Sequence, residues 1–96
     1  MKEKIDIEVG QKFWGVLGKL IVDPETNRIR VITLKDQAVR ENMFIECSKK
    51  VRESNPIGTI FKINVKISKK PTGRLYLHSL RKNELLKVDE WLKIYG

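Results

Sequence analysis

The chain has one cysteine, Cys47, and one histidine, His78. An internal disulfide is therefore impossible, and a structural zinc site fails on ligand count. A secreted domain of 96 residues would ordinarily need disulfide staples, so a reducing, cytoplasmic setting is expected. No apolar run approaches the length of a membrane span. The opening MKEKIDIEVG lacks the apolar stretch of a secretory leader, and Lys2 stands where myristoylation requires glycine. There is no P-loop, no glycine-rich phosphate cradle and no EF-hand loop. Asp89 and Glu90 are adjacent on an expected helix, so they diverge and suit solvated charges better than a shared substrate. A Cys47–His78 nucleophilic pair is conceivable, but a cysteine among apolar residues usually serves as a small hydrophobe. No catalytic residue, metal site or cofactor is expected, and the chain reads as non-enzymatic.

Positive charge is abundant. The formal net charge is +8, and charged residues make up 33% of the chain. Between residues 48 and 82 stand ten basic side chains against a single acid, Glu53, so this segment carries +9 and the remainder −1. Charge concentrated in this way is a footprint for a polyanion, although a basic surface also keeps a small protein soluble. The apolar fraction of 41% is compatible with one packed core, and the length fits a single domain over residues 1–96.

Hydrophobic periodicity sets out the elements. Ile5, Ile7 and Val9 alternate with Asp6 and Glu8, suggesting a short first strand. Residues 13–22 are apolar on both faces and contain Gly15 and Gly18, as in a central or sharply curved strand. Pro24-Glu25-Thr26-Asn27 is a turn, with Asn27 suited to a left-handed backbone. Residues 28–35 return, with Ile29 and Val31 inward and Arg28 and Arg30 outward. Residues 59–70 show the clearest pattern. Phe61, Ile63, Val65 and Ile67 alternate with Lys62, Asn64, Lys66 and Ser68, predicting a half-buried strand. A turn at 70–73 leads to a strand at 74–80, with Leu75 and Leu77 on one face and Arg74, Tyr76 and His78 on the other. Asn83 is placed to cap a final helix over 84–95, whose apolar stripe is Leu85, Val88, Trp91, Leu92 and Tyr95.

Residues 36–55 admit two readings. Val39, Met43, Cys47 and Val51 recur every four residues with Phe44 beside them, which fits one amphipathic helix. The alternative is a strand at 43–47 followed by a short helix at 49–54 capped by Ser48. The run IECSKKVRES, followed by IGTIFKINV, resembles the strand, short helix and strand of AbrB-type DNA-binding proteins. Ser48 stands where those proteins have a proline, and the link to the second strand is shorter. The resemblance implies local structure, and no function is carried over from it. Gly10-x-x-Phe13 and Gly58-x-x-Phe61 echo each other. A duplicated unit would explain this, but we favour two hairpins meeting the same physical demand.

The expected fold class is α+β: two antiparallel hairpins, a central helix and a C-terminal amphipathic helix. The sheet is either an open four- to five-stranded one or a small OB-like or cradle-like barrel, which the glycine-bent first strand suits. The expected function is nucleic-acid binding of little sequence specificity. The candidate residues are Lys49, Lys50, Arg52, Lys62, Lys66, Lys69, Lys70, Arg74, Tyr76 and His78. Tyr76 between basic residues matches the ring-plus-cation composition of single-strand binders. Trp14 and Trp91 are either core residues or stacking platforms. The alternative function is a protein-interaction module, such as a small regulator, an inhibitor or an accessory protein of a phage or mobile element. Its basic face would dock an acidic partner surface. No membrane association is expected, and a homodimer through an exposed edge strand fits either reading.

Overall fold

The computed structural model describes residues 9–81 and 85–96. Five strands, β1 (Lys12–Val22), β2 (Ile29–Thr33), β3 (Phe44–Glu46), β4 (Ile60–Lys69) and β5 (Leu75–Ser79), close into a barrel in the order β1-β2-β3-β5-β4. All neighbours are antiparallel except β3 and β5, which run parallel. A short helix, α1 (Lys49–Glu53), joins β3 to β4, and α2 (Val88–Tyr95) ends the chain. This is the OB-like member of the two expected architectures. Each described strand has a neighbour on both sides, so the edge pairing expected to support a homodimer finds no free edge among them. No helix among the described residues is long and apolar enough to cross a membrane.

Closure depends on the curvature of β1. Its first half pairs with β4 and its last residues pair with β2, and Gly18 belongs to both ladders, opposite Phe61 and Thr33. A Cβ at Gly18 would lie 2.7 Å from Val31 Cγ1 and 2.9 Å from Ile45 Cδ1, so the strand crosses the core where a side chain does not fit. A bulge between Phe13 and Val16 adds the second bend. Gly15 occupies it at φ 68°, in the left-handed region that glycine tolerates.

The strict alternation of β4 is realised as expected. Phe61, Ile63, Val65 and Ile67 are buried, and they meet Val16 and Leu20 of β1, Val31 of β2, Ile45 of β3 and Leu77 of β5 in the barrel interior. Val39, Met43 and Leu85 from connecting segments complete this core.

Residues 36–55 follow the split reading rather than the long helix. Asp36 and Asn42 hold left-handed backbone (φ 64° and 62°), which a helix does not accommodate. Competing hydrogen bonds fix the connection instead. Gln37 Nε2 donates to Leu17 O and Leu34 O while its Oε1 accepts from Leu17 N. Thr33 Oγ1 donates to Arg40 O at 2.6 Å and accepts from Met43 N at 2.9 Å. Ser48 occupies the N-cap of α1, without a side-chain capping bond.

The glycine echo has a structural counterpart. Gly10 N donates to Ile67 O at 2.8 Å, and Gly58 N donates to Leu20 O at 2.7 Å. The two motifs thus close opposite ends of the same β1–β4 ladder, which agrees with a shared physical demand. The Asn27 turn forms as expected, at φ 59°, with Asp23 accepting from Glu25 N and Thr26 Oγ1. The final helix begins later than expected, at Val88, because residues 85–87 run beside β4. Leu86 O accepts from Lys62 N, and Phe61 bridges to Lys87. The first expected strand, apart from Val9, and the Asn83 cap lie outside the described residues.

Candidate nucleic-acid interface

Because side chains alternate along a strand, the residues facing away from the barrel core can be followed from strand to strand. Glu46 of β3 lies opposite His78 of β5, His78 lies opposite Lys66 of β4, and Lys66 lies opposite Lys12 of β1. Arg30 of β2 joins the row through Glu46, whose Oε1 is 3.2 Å from the Arg30 guanidinium. One outward row, Arg30-Glu46-His78-Lys66-Lys12, therefore crosses all five strands and contains a single carboxylate.

Beside this row lie two aromatic rings, each covered by cations. The Arg30 guanidinium sits 4.0 Å from the Phe44 ring centre, and the Arg74 guanidinium 5.2 Å from the same ring. Lys70 Nζ sits 4.6 Å above Tyr76. Tyr76 faces Ser68, whose hydroxyl is 2.8 Å from His78 Nδ1. The hairpin turn brings Lys70 and Arg74 together. Lys70 N donates to Arg74 O at 2.9 Å and Gly73 N to Lys70 O at 2.8 Å. Glu46 also holds Lys70 Nζ at 3.6 Å, so this one acid restrains two of the cations around the rings.

Two clefts continue the surface. One, of about 570 Å³, lies between the β1–β2 turn and α1 and is lined by Arg28, Arg30, Lys49 and Arg52 together with Glu46 and Glu53. The other, of about 460 Å³, lies across Phe44 and is bordered by Arg40, Glu41 and Arg74.

Of the residues singled out in the sequence, Lys66, Lys70, Arg74, Tyr76 and His78 are brought together here. Lys69 is exposed beside the same turn. Lys49 and Arg52 line the first cleft, and Lys50 is exposed on α1 next to them. Arg52 is partly committed to the fold, since its guanidinium donates to Ile29 O at 2.9 Å. Lys62 stands apart, with its Nζ 4.6 Å over the Trp91 ring near α2. Phe44 and Arg30 were missed as site residues. The signal for Phe44 was period two through Phe44, Ile45 and Glu46, which the four-residue spacing of Val39, Met43 and Cys47 obscured, while Arg30 was readable as outward but not as a neighbour of Phe44.

Cys47 follows β3 on the side opposite Glu46 and packs against the core. His78 faces outward, so the sheet separates the two groups. Burial pushes the Cys47 thiol above its ordinary range, with Arg52 opposing and Glu46 adding to the effect. Comparison of the chain with family models, with curated proteins and with solved structures finds no match.

Proposed function

We propose that this protein is a cytoplasmic, non-enzymatic binder of single-stranded nucleic acid that uses the outward face of β2, β3, β5 and β4 and has little base specificity. The observation that carries the reading is the pair Phe44 and Tyr76, each ring capped by Arg30, Arg74 or Lys70 beside one row of basic residues. Rings offer a π-face to any unpaired base, and the cations track the phosphates. OB-like barrels commonly present the β2–β3 face and the turns after β1 and β4 to oligonucleotides or oligosaccharides, an analogy of fold that supports the choice. Glu46 acts as a competitor, since a phosphate arriving at Arg30 or Lys70 must displace its carboxylate.

The test is a titration with labelled single- and double-stranded oligonucleotides at two salt concentrations. Single strands should bind more tightly, with affinity falling steeply as salt rises. No binding to either at low salt, where electrostatic association is strongest, would overturn the reading and favour an acidic protein surface as the partner.

A further inference from the structure

A second aromatic cluster lies where β1, β4 and α2 meet. Trp14 is lifted off β1 by the bulge and is 65% exposed. Its ring centre is 6.5 Å from that of Tyr95, which in turn lies 5.1 Å from Trp91. Together these rings border a cavity of about 260 Å³ floored by Ile63 and Leu80. Lys62 and Arg81 are the charged residues around it, and no carboxylate borders it among the described residues.

The amide oxygen of Asn64 and the indole N–H of Trp91 are engaged with each other inside this cluster. Asn64 Oδ1 accepts from Gly15 N at 2.9 Å and from Trp91 Nε1 at 3.0 Å. What the cluster offers a ligand is chiefly ring surface beside the Lys62 ammonium. The cluster is also continuous with the face described above. Lys12 and Trp14 are both exposed on either side of Phe13, and Lys12 is the last member of the row that starts at Arg30. β5 and β1 are two strand spacings apart, about 10 Å, and Ser68, opposite Tyr76, stands four residues along β4 from Asn64, which holds Gly15, so the two ring sets are about 16 Å apart, a gap that a few nucleotides cover.

We infer that Trp14, with Tyr95 and Trp91, forms a second stacking subsite for an unpaired base of the same strand held by Phe44 and Tyr76. The inference rests on the proposed function and adds that the bound strand crosses the barrel from β3 to β1. Complementary charge selects a nucleotide over an apolar protein segment, because Lys62 lies over the Trp91 ring and exposed Lys12 stands two residues before Trp14.

The experiment uses an oligothymidylate of about 12 nucleotides, within the range one such barrel accommodates, and an abasic strand of equal length. Trp14→Ala should weaken oligothymidylate binding about tenfold with an unchanged salt slope, and Trp14→Tyr should restore most of it. Binding of the abasic strand should not respond to either substitution. In Trp91→Phe, Trp14 is the remaining tryptophan, and its emission should be quenched by oligothymidylate. Wild-type affinity in Trp14→Ala, together with weakened binding in Tyr76→Ala, overturns the inference and leaves the proposed function standing. Loss of oligonucleotide binding in the unmodified protein removes both. Self-association abolished by Trp14→Ala, with oligonucleotide affinity unchanged, overturns the inference by assigning the cluster to contact between copies.

Discussion

On the β3–β5 face each ring is covered by a cation, and two of these cations, Arg30 and Lys70, are themselves restrained by Glu46. At the β1–α2 edge the rings lie against one another, and Trp14 is largely open to solvent. The two regions therefore hold charge and ring in opposite proportion. Binding at the first should respond strongly to salt, because cations meeting phosphates release counterions. Binding at the second should respond to the base, because stacking releases none.

The largest effect comes from removing what both regions stand on. Phe61 is 1% exposed and opposes Gly18 at the tightest point of the barrel. Phe61→Ala should cost about 3–5 kcal/mol in chemical unfolding, a substantial share of the total for a small domain. Loss of both regions together is expected. A cooperative melt near the wild-type temperature would show that the core is not shared.

Tyr76→Ala should sharpen the contrast within the first region. It should weaken single-strand binding by about 1–3 kcal/mol while the dependence of log K on log salt stays nearly unchanged. Lys66→Ala should instead lower that slope by about 0.7–0.9 and act alike on all sequences. Lys93 on α2 provides a remote control. Equal slopes in the two variants would dissolve the distinction between ring and charge.

Gly15→Ala addresses the second region alone. The substitution places a side chain at φ 68°, with its Cβ 3.0 Å from Trp91 Cζ2. A cost of about 1–2 kcal/mol is expected from the left-handed backbone, together with a changed tryptophan emission and an intact salt-dependent component of binding. Glu46→Gln works in the opposite direction at the first region. Freed of their carboxylate, Arg30 and Lys70 should bind oligonucleotide more tightly at low salt. Unchanged affinity would mean that neither cation meets the strand.

The smallest effect concerns Cys47. Its raised pKa means that the folded protein keeps a proton the unfolded chain loses in mild alkali. Stability is therefore unaffected below the unfolded thiol's pKa of about 8.5 and declines as pH rises above it. Urea midpoints measured from pH 7 to pH 10 should fall less steeply in Cys47→Ala than in the wild type. Parallel profiles would show that the thiol is not desolvated.

How much of this was legible in the sequence differs between the same two regions. β4 was legible because one face is core and the other solvent, so period two survives without interruption. The partners of β4 on the outward face, Tyr76 and His78, followed from the same alternation in β5. β3 was not legible as readily. Met43, Ile45 and Cys47 all turn toward the core, yet Val39 before them and Val51 after them happen to extend a four-residue spacing. What decides between strand and helix there is left-handed backbone at Asp36 and Asn42 and the bonds of Gln37 and Thr33, all of which depend on distant strands. Trp14 was undecidable for a related reason. Its direction is set by the bulge, and a bulge is visible only once Phe13 and Val16 are seen to face Val65 and Ile63.

The shared acceptor at Asn64 has a consequence for how the molecule breathes. One oxygen secures both the Gly15 amide of β1 and the indole of Trp91 on α2. No residue of α2 is fully buried, and this bond joins the ring contact of Tyr95 with Trp14 and the cation contact of Trp91 with Lys62 in fastening the helix. Local opening of an element this lightly seated requires far less free energy than global unfolding. An excursion that carries Trp91 away would leave Asn64 free to turn and uncover the Gly15 amide. The exchange rate of that one proton, on a strand of the barrel, would then count the departures of the helix.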